Sequence, residues 1–357
     1  MKGQKKMPYT PTSWDDIGED LRRLFREIIC SDDGNTSKIL REAITLIGND
    51  AMNRDTFYDN CRAKHIVGGG RLIKNCWDFV AYQHDMSKRR KSSLQDDGFQ
   101  IGSPWHGDVI QAPILFLSIN PGLTYHCYFP RWYPSNDGTT DRFDLDGCNI
   151  TEEGIYNFLT TRLHDDNTFG YASHIDSAKG GYPNAVIRGG TFKREGVPYW
   201  KRMCEATRQL LNIPAVGIDF GKLMRSVLSA EVIFWGSKNQ DGGWGQKTLN
   251  YYWDKFVVPL LEKCGAEILI LVGHSALTTF NSSFNRNDDE KNPQLKSGGV
   301  YSDLYMGKFK VAAVNHFSYS WHKDGNLPQN YSGVCGSLRA DPQAQPAIEK
   351  ALSLYHM

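Results

Sequence analysis

With 357 residues the chain is long enough for a large buried core and for more than one module. Its 41 Lys and Arg balance 40 Asp and Glu, for a formal charge of +1, and 40% of its residues are hydrophobic. This composition excludes global disorder and a chain-wide basic surface, so any contact with nucleic acid must come from a local basic face.

The opening segment, Met1 to Met7, lacks the apolar stretch of a secretory signal, and no apolar run reaches membrane length. A cytoplasmic protein with no membrane contact is expected. Residues 1–100 read as an N-terminal helical module. Ser13 is a candidate N-cap, with Asp16 three residues on, where an acidic side chain favours a helix start. Ile17, Leu21, Leu24, Phe25, Ile28 and Ile29 follow at helical spacing. Thr36 can cap a second helix bearing Ile39, Leu40, Ala43, Leu46 and Ile47, and a third apolar segment surrounds Trp77, Phe79 and Val80. The basic run Lys88, Arg89, Arg90 and Lys91 is then either a solvated linker or an arm that contacts phosphates.

The second module, 101–357, changes pattern. Ile114-Leu115-Phe116-Leu117-Ser118 is nearly unbroken apolar sequence, as in a strand buried on both faces, and Asn120-Pro121-Gly122 turns directly after it. Residues 125–195 are rich in turns and aromatics and read as a loop-rich insertion. A helix is expected over 198–211, a strand over 231–235 ending in Gly236-Ser237-Lys238-Asn239, and a second helix over 250–264. Two further apolar strands are expected at 267–272, ending at Gly273, and at 309–314, ending in Asn315-His316-Phe317-Ser318. Strands alternating with helices indicate βαβ units and a parallel sheet. In open α/β sheets the ligand sits beyond the carboxyl ends of such strands, where Asn120 and His316 fall. Asn120-Pro121-Gly122 could also be a plain turn, and His316 a satisfied core histidine. The eight cysteines form no C-x-x-C pair, so no metal is expected and the thiols read as reduced and mostly buried. Gly68-Gly69-Gly70 and Gly242-Gly243 lack the spacing of a phosphate-binding loop.

The strand ends carry a family resemblance. Ser118-Ile119-Asn120-Pro121-Gly122 resembles the water-binding motif Gly-Ile-Asn-Pro-Gly of the uracil-DNA glycosylase superfamily, in its mismatch-specific and thymine-DNA branch. Asn315-His316-Phe317-Ser318 is similar to the second motif of that family, His-Pro-Ser or Asn-Pro-Ser, and Leu271-Val272-Gly273-His274-Ser275-Ala276-Leu277 to its penultimate strand and turn. The resemblance spans 101–357 outside the 125–195 stretch. Ser118 stands where the family has its first Gly, and Phe317 where Pro is usual.

The resemblance implies a three-layer α/β/α domain with a central parallel sheet of four strands. It implies a DNA glycosylase without metal or cofactor, acting as a monomer on double- or single-stranded DNA. Asn120 would orient the attacking water, and His316 would donate a hydrogen bond to the departing base. Ser237 and Asn239 sit where relatives read the base, although they also suit an ordinary turn. Ser318 would join Lys88, Arg89, Arg90 and Lys91 at the phosphates. Tyr319 and Trp321 are candidates for the wedge that fills the gap left by a flipped base, or are surface packing. Uracil-restricted enzymes place a bulky aromatic where this chain has Gly122-Leu123, so the pocket is expected to accept C5-enlarged pyrimidines. Glucosylated hydroxymethylcytosine of phage DNA, excised in antiviral defence, is the first expectation.

Two other functions fit parts of the sequence. Gly273-His274-Ser275-Ala276-Leu277 approaches the serine nucleophile elbow G-x-S-x-G, with Ser275 as nucleophile and His316 as base, although Leu277 occupies the last glycine position. A non-catalytic DNA-sensing module of the same fold is the other.

Overall fold

The structure is a computed structural model and describes residues 99–100, 105–119, 131–132, 187–188, 191–192, 198–233, 245–284, 294–317 and 329–357. The expected N-terminal module and most of 125–195 lie outside the described residues. Phe99–Gln100 pairs with Arg131–Trp132, and Ile187–Arg188 with Thr191–Phe192.

The apolar run after Pro113 forms a strand, Ile114–Ser118, with all five residues buried. It is preceded by the short strand Trp105–His106; we label these β2 and β1. Helices α1 (Pro198–Leu210) and α2 (Phe220–Met224) follow, the second capped by the Asp219 carboxylate, which accepts from the Lys222 backbone N–H. Strand β3 is Val227–Glu231. Helix α3 (Gln246–Tyr252) runs through one π turn, Trp253–Val257, into α4 (Val258–Lys263). Then come β4 (Ile268–Val272), α5 (His274–Phe284), β5 (Val300–Tyr305), β6 (Phe309–Val314), α6 (Gln329–Ala340) and α7 (Gln345–His356).

These strands form one six-stranded sheet in the order β1-β3-β2-β4-β6-β5. The expected sheet had four parallel strands. The four runs anticipated from sequence do lie side by side and parallel, but β1 and β5 add antiparallel edges, so the sheet is mixed. The edges escaped the apolar pattern for physical reasons: β1 is two residues long, and β5 keeps Ser302 and Asp303 exposed, as suits a half-solvated edge.

Strand β3 also begins four residues before the expected 231–235. Its register pairs Ile114 with Val227 and Ser118 with Glu231. The buried Ser229 interrupts the apolar run that marks a strand by eye. Pairing continues beyond Glu231, because the Val232 and Ile233 amides donate to the Ser118 and Ile119 carbonyls at 2.8 and 2.7 Å. The helix expected at 250–264 instead covers 246–263. Pro259 has no N–H to give, and the turn ahead of it widens, with the Val258 amide donating to the Trp253 carbonyl five residues back.

The core forms on the sheet. Ile114, Phe116, Val227, Ile268, Ile270, Val272, Ala312 and Val314 share a cluster with residues of α1, α2, α6 and α7. Tyr331 on α6 donates to the Ala206 carbonyl of α1 at 2.9 Å, and the Arg339 guanidinium caps the Gln209 carbonyl at 2.7 Å. A separate aromatic group joins Trp253 to Phe280 of α5, and Phe280 to Tyr305 of β5. On β6, Lys310 is 2% exposed among apolar neighbours; its ammonium meets Asp341 at 2.6 Å and donates to the Ser302 carbonyl at 2.8 Å. Among the described residues no helix is long and apolar enough to cross a membrane.

Candidate functional site

Parallel register brings the carboxyl ends of the central strands to one edge. Ser118 lies beside Glu231, and Val272 beside Val314. His316 follows β6 by two residues and is 6% exposed. Its ring lies against the backbone of Gly273, the residue that follows β4. A Cβ built on Gly273 would meet the His316 Cβ and Cδ2 at 3.2 Å, and its φ of +95° is one that L side chains rarely adopt. Glycine is thus required there twice, once for the turn and once for the approach of the imidazole. The Gly273 amide donates to the Val314 carbonyl at 2.9 Å, which ties the turn after β4 to the end of β6.

The neighbours of His316 are fixed on both sides. The Asn315 Oδ1 accepts from the Ser297 hydroxyl at 2.7 Å, and that hydroxyl accepts from the Asn330 amide at 3.0 Å. Phe317 is fully buried, 5.9 Å from the Phe116 ring and 6.1 Å from the Tyr331 ring. The aromatic ring of Phe317 thus joins the end of β6 to the core between β2 and α6.

The Ser118 hydroxyl, 1% exposed, donates to a Glu231 carboxyl oxygen across the β2–β3 register. Glycine could not make this bond. Burial raises the Glu231 carboxyl from its ordinary 4.5 to about 8, because desolvation disfavours the charged form more than the Ser118 hydrogen bond favours it. At neutral pH this shift favours the protonated carboxyl at the strand ends. The sequence offered one signal for it, a single acidic residue inside an otherwise apolar run. Gly273 carried a weaker signal, a glycine between strand and helix.

Ser275 occupies the first turn of α5, and its carbonyl accepts from the Thr279 hydroxyl at 2.8 Å. The positive φ belongs to Gly273, two residues earlier, and Ser275 has none. A nucleophile elbow needs its serine on the strained turn itself, so Ser275 lacks that geometry. Of the residues singled out from the sequence, Asn120, Gly122, Ser237, Asn239, Ser318, Tyr319, Trp321 and the four basic residues Lys88, Arg89, Arg90 and Lys91 lie outside the described residues. Ile119, immediately before Asn120, is buried. Among the described residues no group of three or more His, Cys, Asp or Glu could hold a metal ion. Cys204, Cys264 and Cys335 are free and buried.

No protein-family model matches the chain, and no curated protein matches it.

Proposed function

We propose that the chain is a DNA glycosylase, which flips a modified base from DNA and hydrolyses its N-glycosidic bond to leave an abasic site. The observation that carries this reading is the buried imidazole of His316 at the carboxyl end of a central parallel strand. It lies on the sheet edge where β2 ends, and the chain of β2 runs on through Ile119 to Asn120. Ligands of open α/β sheets are held at that edge.

The reaction breaks the bond between C1′ and the base nitrogen. The base leaves as an anion, a water oxygen adds to C1′ from the opposite face of an oxocarbenium-like sugar, and the proton which that water sheds to solvent balances the one the base takes up. Asn120 orients that water through its amide oxygen; an amide is too weak a base to deprotonate it. His316 donates to the developing anion, so departure of the base carries most of the barrier. Extrusion of the base costs a few kcal/mol, which Tyr319 or Trp321 offsets by stacking in the gap. Ser237 and Asn239 read the base edge, and Lys88, Arg89, Arg90, Lys91 and Ser318 hold phosphates. With Gly122 at the rim, the preferred substrate is a bulky C5-modified cytosine, glucosylated hydroxymethylcytosine first. The enzyme works as a monomer in the cytoplasm, without metal or cofactor.

The same reading expects helices on both faces of the sheet, in three layers. In its support, alternate residues of β2, β4 and β6 enter a cluster with α1, α2, α6 and α7, to which α3, α4 and α5 contribute no described residue.

The test is incubation with DNAs bearing uracil, hydroxymethylcytosine or its glucosylated form, followed by alkali and a sequencing gel. Abasic sites become strand breaks, so one assay reports activity and substrate. Asn120→Ala and His316→Ala should each slow base release by about 10²–10³-fold, the usual cost of one preorganised group of about 3–4 kcal/mol, while DNA binding persists. Absence of breaks with every DNA, or unchanged rates in both variants, would overturn the proposal.

A further inference from the structure

Strand β6 lies between β4 and β5 in the sheet, and a glycine with positive φ stands on each side of its carboxyl end. On the β4 side is Gly273, at φ +95°, with the His316 ring packed where its Cβ would be. On the β5 side is Gly298, at φ +86°, and there a Cβ would lie 3.0 Å from the Cβ of Asn330. Each glycine is bonded to β6 through its backbone. The Gly273 amide donates to Val314, the Gly298 amide donates to Ala313 at 2.7 Å, and the Ala313 amide donates to the Gly299 carbonyl at 3.0 Å. Ser297 then links the two carboxamides, donating to Asn315 and accepting from Asn330. Asn315 is the residue directly before His316.

We propose that Gly273 on one flank and Ser297, with Asn315 and Asn330, on the other are positioning residues for His316, and that they set the direction of its imidazole toward the leaving base. The inference rests on the glycosylase reading for its chemical consequence. Its structural content is independent of that reading. The backbone at Ala313 and Val314 is held from the turns on both flanks, and the Asn315 side chain is tied to Ser297, so the ring that follows inherits a direction rather than searching for one. Preorganisation of this kind lowers a barrier because the donor does not reorient during reaction.

Ser297 is exposed, so Ser297→Ala disturbs no core packing and is the principal variant. Ser297→Thr keeps the hydroxyl and serves as its rescue. Gly273→Ala tests the other flank. Two measurements are made on the full chain: the ring resonances of His316 by NMR without DNA, assigned with His316→Ala, and single-turnover base release alongside DNA affinity. Ser297→Ala should shift or broaden the His316 resonance and slow base release by about tenfold, the effect of one lost hydrogen bond, with DNA affinity changed less than twofold. Ser297→Thr should restore both, and Gly273→Ala should move the resonance further. A His316 resonance unmoved in both Ser297→Ala and Gly273→Ala would overturn the inference. So would a moved resonance with unchanged base release. If the wild-type protein releases no base from any DNA, the glycosylase reading fails by itself, and the resonance still decides whether the two flanks hold the ring.

Discussion

The ends of β2 and β3 and the ends of β4 and β6 lie on one sheet edge, and they are held by different physics. At the first pair a side-chain hydrogen bond, Ser118 to Glu231, spans the register and places a titratable carboxyl in a desolvated position. At the second pair the contact is between backbone and ring, with Gly273 removing its side chain to admit His316. The first arrangement responds to pH and tolerates small changes of shape. The second is sensitive to a single carbon atom, because packed interiors have no slack to absorb it. Precision at this edge therefore sits with the histidine, and charge sensitivity with the glutamate.

Phe317 links the two pairs, and its loss should have the largest effect. Phe317→Ala removes a fully buried ring from between Phe116 and Tyr331 and should cost about 3–5 kcal/mol in urea unfolding. A loss below about 1 kcal/mol would mean the two strand ends are not joined through this ring.

Glu231→Gln addresses the charge-sensitive pair. A carboxyl raised in the folded state holds its proton more tightly folded than unfolded. Its contribution to stability is complete below about 4.5 and is lost as pH climbs through about 8. Between those values the wild type should lose up to about 1.4 kcal/mol per pH unit. The glutamine variant should lack that slope when unfolding free energies at pH 5.5 and 7 are compared. An unchanged slope would assign the pH response to another group.

Gly273→Ala tests the sterically tight pair. A side chain in left-handed backbone costs about 1–2 kcal/mol, and the 3.2 Å contact with His316 adds to it. A loss below about 0.5 kcal/mol in urea unfolding would show that neither the backbone nor the ring requires glycine there. The smallest effect is expected at Ser275. Ser275→Ala should change stability by less than about 0.5 kcal/mol and leave base release unaltered, and a large rate loss would revive the serine nucleophile.

Legibility followed burial. Strands buried throughout, at 114–118, 268–272 and 309–314, announce themselves as apolar runs whose bounds the sequence marks to within a residue. Strand β3 is hard to place because Ser229 and Glu231 are polar yet fit there, and polar residues within a run look like its end. Strand β5 was missed because its exposed residues give an edge no apolar run. His316 was legible from its place after a strand. The reasons for Ser118 and Phe317 were not, since each depends on a partner far away in sequence: Glu231 for the first, Phe116 for the second. Gly273 needs its glycine because of a ring 43 positions on, as counted from 273 to 316, and only the fold reveals that contact.

The lysine buried on β6 carries a consequence for the order in which the molecule assembles. Lys310 finds its carboxylate in Asp341 and a further acceptor in Gln343, both in the bend between α6 and α7. A nascent chain that has made β6 but not this bend holds an ammonium with no counter-charge in an apolar strand. Burying a charge without a partner is costly, and Lys310 is only 2% exposed. During synthesis, then, β6, which ends two residues before His316, gains its counter-charge only after the bend beyond α6 has emerged, so this end of the sheet is completed late.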